Sequence, residues 1–220
     1  GGFPEYVTAP ETAVAGKPAN VPFAQAAAVP MTAVTALQGL RDKGQIQAGQ
    51  QVLINGASGG VGTFAVQIAR AMGAVVTAVV STKKMNMVRS LGADHVIDYT
   101  QEDFSLNGQQ YDLIFDTVGN RSVSEYRRAL TPQGVFVTSA FLMGLIFQKP
   151  WLSMKGGQKM SNMMAKPNKA DLVFLVELLK AGQIIPVIDT CYPLKETAEA
   201  LRYLGEGHAK GKVVIMLGEM

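Results

Sequence analysis

Apolar residues gather in short, nearly unbroken runs: VLIN at 52–55, VVTAVV at 75–80, DLIFD at 112–116 and VFVTS at 135–139. Runs this short and continuous predict strands covered on both faces. The intervening segments carry apolar residues at helical spacing. The pattern predicts strands at 51–55, 75–80, 95–98, 112–116 and 134–139. It predicts helices at 61–72, 83–91, 121–130 and 169–181, with a weaker turn near 102–106. A further helix is expected over 31–41, after Pro30 and capped by Thr32. Alternating β and α elements imply an α/β fold, a doubly wound parallel sheet with right-handed crossovers.

The flanks are less regular. Residues 1–30 read as short extended pieces punctuated by Pro4, Pro10, Pro18, Pro22 and Pro30. Lys155-Gly156-Gly157 reads as a turn, and Lys159–Lys166 as a sixth strand of poor propensity. The tail from 183 reads as strand, helix (about 194–206) and strand (212–217). The longest nearly uncharged run, Gly134–Phe147, is shorter than the roughly 20 residues a bilayer span needs.

The densest chemistry lies at Gln51–Arg70, QVLINGASGGVGTFAVQIAR. A strand runs into a glycine-dense turn, and the turn into an amphipathic helix. Gly59 and Gly60 allow a ligand to approach bare backbone, and the helix that follows offers unpaired N–H groups to an anion. Gly62 would let that helix pack tightly on its strand. The dinucleotide fingerprint G-x-G-x-x-G is met with one departure. Ala57 takes the first glycine's place, and Gly56 is expected to supply the turn.

In NAD-binding folds a carboxylate for the ribose 2′-hydroxyl follows about 20 residues later. Here the end of the second strand reads Ser81-Thr82-Lys83-Lys84. Two hydroxyls and two cations suit a 2′-phosphate, so NADP(H) is expected over NAD(H). By topology, ligands sit at the carboxyl ends of the strands, which brings Gly59–Gly62, Ser81, Thr117–Gly119 and Ser139–Ala140 to one edge.

Composition narrows the classes. Of 220 residues, 48% are hydrophobic and 17% charged, which suits a globular core rather than disorder. The net charge of +3 is spread along the chain without aromatic-interleaved basic runs, which argues against nucleic acid as a partner. The single Cys191 excludes an internal disulfide and a multi-cysteine metal site. His95 and His208 have no neighbours at ligand spacing, so no metal is expected. No signal peptide or membrane span is readable, and the Cys-poor composition suits a reducing cytoplasm.

These motifs resemble the medium-chain dehydrogenase/reductase superfamily, in particular its zinc-free NADPH:quinone oxidoreductase branch. The markers are Ala26–Pro30, Thr35-Ala36-Leu37, Gly56–Gly62, Leu91–Asp94, Val96–Tyr99, Phe115–Gly119 and Gly211–Ile215, in this order along the chain. The resemblance implies a Rossmann-type sheet (31–168) with remnants of a second, GroES-like domain at 1–30 and in the segment 169–220. By the same resemblance, this sequence is expected to lack most of the GroES-like domain that family members carry ahead of a strand like Gly2–Tyr6.

Carried over by position, the resemblance places Thr35 near the nicotinamide. It puts Ser58, Gly59, Gly60 and Val61 at the pyrophosphate, and Ser81, Lys84 and Tyr99 around the adenosine 2′-phosphate. Gly119, Ser139 and Ala140 would line the nicotinamide ribose. It implies NADPH-dependent hydride transfer to a small quinone or activated alkene. No catalytic side chain is evident, and Asp116, inside the sheet edge, suits a structural role. Two alternatives stay open: a truncated NADPH-binding module without turnover, or an alcohol dehydrogenase or enoyl reductase of the same superfamily. A homodimer through the edge near 158–166 is expected.

Overall fold

A computed structural model describes residues 3–145, 157–207 and 209–217. The expectations placed on Lys155, Gly156 and His208, and the end of the 134–147 run, fall outside these residues.

Six strands form one parallel sheet in the order β3-β2-β1-β4-β5-β6. They are β1 (Gln51–Asn55), β2 (Val75–Val80), β3 (His95–Asp98), β4 (Tyr111–Asp116), β5 (Leu130–Thr138) and β6 (Lys159–Asn162). The order steps outward from β1 to β3, then restarts on the other side of β1 with β4. The switch point therefore lies between the carboxyl ends of β1 and β4. Alternate strand residues face opposite layers. Val52 and Ile54 join one apolar cluster and Leu53 the other, and Leu113 and Phe115 are divided from Ile114 in the same way. This is why the runs read as continuously apolar.

On the first face pack α2 (Pro30–Leu37), α3 (Gly60–Ala71), α4 (Met85–Ser90) and α6 (Lys169–Lys180), through Val34, Leu37, Phe64, Ile68, Val88 and Leu175. On the second, α5 (Val123–Ala129) lays Tyr126 and Ala129 against Leu53, Ile114 and Phe136. Ser122 starts α5 with a reciprocal capping box to Glu125.

Several boundaries moved for local reasons. The helix expected at 31–41 runs on to Lys43 through a wide π-type turn, with Gly44 N–H reaching Gly39 O at 2.8 Å. Within that turn buried Gln38 donates to Asp171 of α6 at 2.7 Å, and Arg41 pairs with the same carboxylate at 2.7 Å. The proline-punctuated start also holds a short helix, α1 (Phe23–Ala27), which five residues of composition did not announce. The sixth strand forms but stops at Asn162. The tail builds a separate parallel pair, β7 (Ile188–Pro193) and β8 (Lys212–Met216), joined by α7 (Thr197–Gly205). A bridge between Gly59 and Gly211 ties this pair to the glycine-rich turn.

Candidate dinucleotide-binding site

The glycines of the first turn have distinct tasks. Gly56 sits at φ +80°, where a side chain would meet Thr117 Oγ1 at 2.4 Å, so it makes the turn that the fingerprint's first glycine makes elsewhere. A Cβ on Gly62 would stand 2.1 Å from Gly56 O and 2.7 Å from Ala57 Cα, so α3 approaches its strand as closely as it does only with glycine there. Gly59 caps α3, and a Cβ there would meet only Gly56 O, at 3.5 Å. The backbone at Gly59 is thus kept bare on a side that the protein does not fill. The first N–H groups of α3 have no carbonyl one turn earlier in the helix and sit at the positive end of its dipole.

A cavity of about 350 Å³ opens at this turn. Ser58, Gly59, Lys84 and Tyr99 of the expected residues line it, together with Gly207 and Ala209 from the tail. A larger cleft, about 640 Å³, lies at the far end of α3 around Arg70 and Arg89, away from the strands' carboxyl ends. Only the smaller one meets the switch point.

At the adenosine end, Lys84 Nζ donates to Ala209 O at 3.3 Å. Burial lowers the Lys84 pKa below the ordinary lysine value; Asp189 pulls it back up and nearby Lys210 lowers it further. The Thr82 hydroxyl is engaged elsewhere, donating to Asp98 at the end of β3, while Thr100 donates to the other oxygen of that carboxylate at 2.7 Å. Of the two hydroxyls in Ser81–Lys84, Thr82 is therefore not free for a phosphate. Strand pairing placed this carboxylate beside it, with Val80 opposite Asp98.

At the other end Asp116 is fully buried. It accepts from Asn55 Nδ2 at 2.8 Å, Thr138 Oγ1 at 2.7 Å and the Gly119 N–H at 3.0 Å. Its backbone carbonyl accepts from Ser139 N–H at 3.0 Å. Gly119 (φ +71°) faces Ala140, whose Cβ would lie 3.1 Å from one added there. Gly119, Ser139 and Ala140 thus share one hydrogen-bonded knot. Burial, and then the charge of Asp116, push the Tyr126 phenol far up, so it remains a neutral donor-acceptor in this knot. Thr35 stands apart from the cavity lining, its hydroxyl bonded back to Met31 O at 2.7 Å; Thr32, one turn earlier, is the α2 residue that touches Gly60.

Sequence reasoning missed Gly207, Ala209 and the network around Asn55. The tail does carry a signal, the Gly211-Lys212 pair, where Gly211 N–H donates to Ser58 O at 2.9 Å. Among the described residues no three His, Cys, Asp or Glu side chains converge as a metal site, and no helix is long and apolar enough to cross a membrane.

A doubly wound sheet with a bare, glycine-lined helix start at its switch point is the architecture of a dinucleotide-binding domain. Residues 91–215 match the family model described as zinc-binding dehydrogenase. The chain is 32% identical over 228 residues to the chloroplast envelope quinone oxidoreductase homolog of Arabidopsis thaliana, covering 98% of this chain and 68% of that protein. It is 31% identical over 224 residues to the chloroplastic NADPH-dependent alkenal/one oxidoreductase of the same plant, covering 98% of this chain but 53% of the relative. The structure of the quinone oxidoreductase from Coxiella burnetii superposes with a TM-score of 0.83 at 27% identity, over 92% of this chain and 63% of the other. The chain therefore belongs to the medium-chain dehydrogenase/reductase superfamily, and it spans about half the length of some of the relatives it matches.

Proposed function

We propose that this chain is the cofactor-binding part of an NADPH-dependent oxidoreductase that passes a hydride, without zinc, to a quinone or an activated alkene. The observation that carries the reading is the turn at Gly56–Gly62, where Gly56, Ser58 and Gly59, the last of them capping α3, line a cavity that Lys84 also lines. Dinucleotides are bound in this arrangement, with the diphosphate on the helix N–H groups. The cofactor would supply the hydride; the chain would hold and orient it. Ser58, Gly59, Gly60 and Val61 are assigned to the diphosphate. Ser81, Lys84 and Tyr99 are assigned to the adenosine 2′-phosphate, and Gly119, Ser139 and Ala140 to the nicotinamide ribose. Thr35 is assigned to the nicotinamide end.

The relatives named above for quinones and alkenals support the substrate class. Exposed Phe141, Met143 and Met164, beyond the ends of β5 and β6, offer an apolar surface on the nicotinamide side. Residues 1–30 and 169–220 are read as flanking parts of a second, GroES-like unit around the 31–168 sheet. The sheet edge near 158–166, which includes β6, is the proposed dimer contact, joining two sheets into one; a monomer in sedimentation at micromolar concentration would refute it.

The test is a fluorescence titration with NADPH and NADH on the chain and on Lys84→Gln. NADPH is expected to bind more tightly, and the substitution to weaken NADPH by about tenfold or more while leaving NADH nearly unchanged, as for a lost charge-assisted bond. Equal losses for both cofactors would remove Lys84 from the 2′-phosphate site. Oxidation of NADPH by a small quinone or enone then separates an enzyme from a binding module.

A further inference from the structure

Gly207 and Ala209 of the tail line the cofactor cavity, and the stretch from Ala209 to Lys212 runs on from there to the glycine-rich turn, far away in sequence. It is held there firmly. Gly211 N–H bonds to Ser58 O and Lys212 N–H to Val187 O, each at 2.9 Å. Asp189 accepts the Lys210 N–H at 3.1 Å and also the Tyr203 hydroxyl. The Lys212 stem is thereby laid against Gly60 at the start of α3: a Cβ on Gly60 would stand 2.8 Å from Lys212 Cδ and 3.3 Å from Gly211 O.

The electrostatics of this placement are unfavourable as they stand. A lysine is set against the positive end of a 12-residue helix, where a cation is disfavoured. Among the described residues no carboxylate pairs with Lys212. Helix and lysine both call for an anion between them. Gly60 is the residue that leaves room for the lysine stem, so the packing of the turn and the position of the charge are linked.

We infer that Lys212 is a ligand of the cofactor's diphosphate, closing over it from the tail while the N–H groups of α3 hold it from below. The inference rests on the dinucleotide reading of the site. Lysine suits this task as a compact, mobile point charge that needs no fixed bidentate geometry. The diphosphate is common to NADH and NADPH, so Lys212 adds affinity for both and selects neither. That sets it apart from Lys84.

The test is a titration of the whole chain, Lys212→Met and Lys212→Arg with NADPH, NADH and ADP, with melting temperatures in parallel. Methionine keeps most of the apolar stem that covers Gly60 and removes the charge. Lys212→Met is expected to weaken all three nucleotides by a similar factor, about tenfold. The NADPH-to-NADH ratio should hold, and the dependence of affinity on salt should become shallower. Lys212→Arg should restore most of the loss. Unchanged affinities in Lys212→Met, or a loss confined to NADPH, would overturn the assignment while leaving the dinucleotide reading intact. Equal losses in both variants with lowered melting temperatures would assign Lys212 to the packing of β7 and β8 and overturn it as well. Failure of the unsubstituted chain to bind any of the three would overturn the dinucleotide reading and this inference together.

Discussion

The cavity has two ends built on opposite principles. Around Asp116 the polar groups satisfy one another: a fully buried carboxylate takes bonds from Asn55, Thr138 and the 118–119 backbone. Around Lys84 and Lys212 they do not. One lysine leans on a backbone carbonyl and the other on a helix start of its own sign. A closed network is architecture, because each of its members already has what burial requires. Cations that form no ion pair among the described residues, at the edge of a cavity, indicate what the cavity is for. The contrast also separates two kinds of polar residue that look alike in sequence.

Breaking the closed end should have the largest effect. Asp116→Ala strips the acceptor from Asn55, Thr138 and Gly119 at once and should cost on the order of 3 kcal/mol or more. Urea denaturation measures it, and a cost below 1 kcal/mol would show that the knot is not structural. Gly62→Ala tests the hinge between the ends. Its Cβ would collide with backbone rather than with a flexible side chain, so a loss of about 1–3 kcal/mol is expected together with weaker nucleotide binding. Unchanged stability would mean that α3 can back away from its strand at no cost.

Asp171 supplies a smaller, pH-dependent comparison away from the cavity. Burial alone would raise its pKa, but bonds from Gln38, Arg41 and Asn168 outweigh that and hold it below the ordinary carboxylate value. A depressed folded-state pKa contributes stability that is present above the unfolded value and lost as pH falls through the folded one. Asp171→Asn should therefore cost about 1–2 kcal/mol at neutral pH and flatten the loss of stability on acidification below the ordinary carboxylate range. Melting temperatures at pH 7 and across the acid limb decide it; parallel curves for both proteins would exclude Asp171 as a source of acid sensitivity. The smallest effect on the fold belongs to the open end. Lys84→Gln and Lys212→Met should leave the melting temperature nearly unchanged and act on nucleotide affinity.

The alternation of strands and helices was plain in the residues, because apolar runs covered on both faces leave little ambiguity about a parallel sheet. The glycine-rich turn was equally plain, since Gly56, Gly59 and Gly62 act within a few residues of one another. Thr82 was misleading in isolation. Its hydroxyl looked available for a phosphate, and pairing of β2 with β3 brought Asp98 to claim it. The short helix at 23–27 and the π-type turn at 38–43 were hidden for a related reason, the second being held by contacts with α6.

Local order in this chain follows from periodicity and from glycine placement, properties that adjacent residues carry among themselves. The charge balance of the cavity does not. Whether a lysine or a hydroxyl stands free depends on which distant segment folds against it, as Ala209 does at Lys84 and Gly60 at Lys212. Backbone conformation is a short-range matter, whereas Coulomb energy and burial are set by neighbours in space, and those exist only once the tail has closed over the sheet.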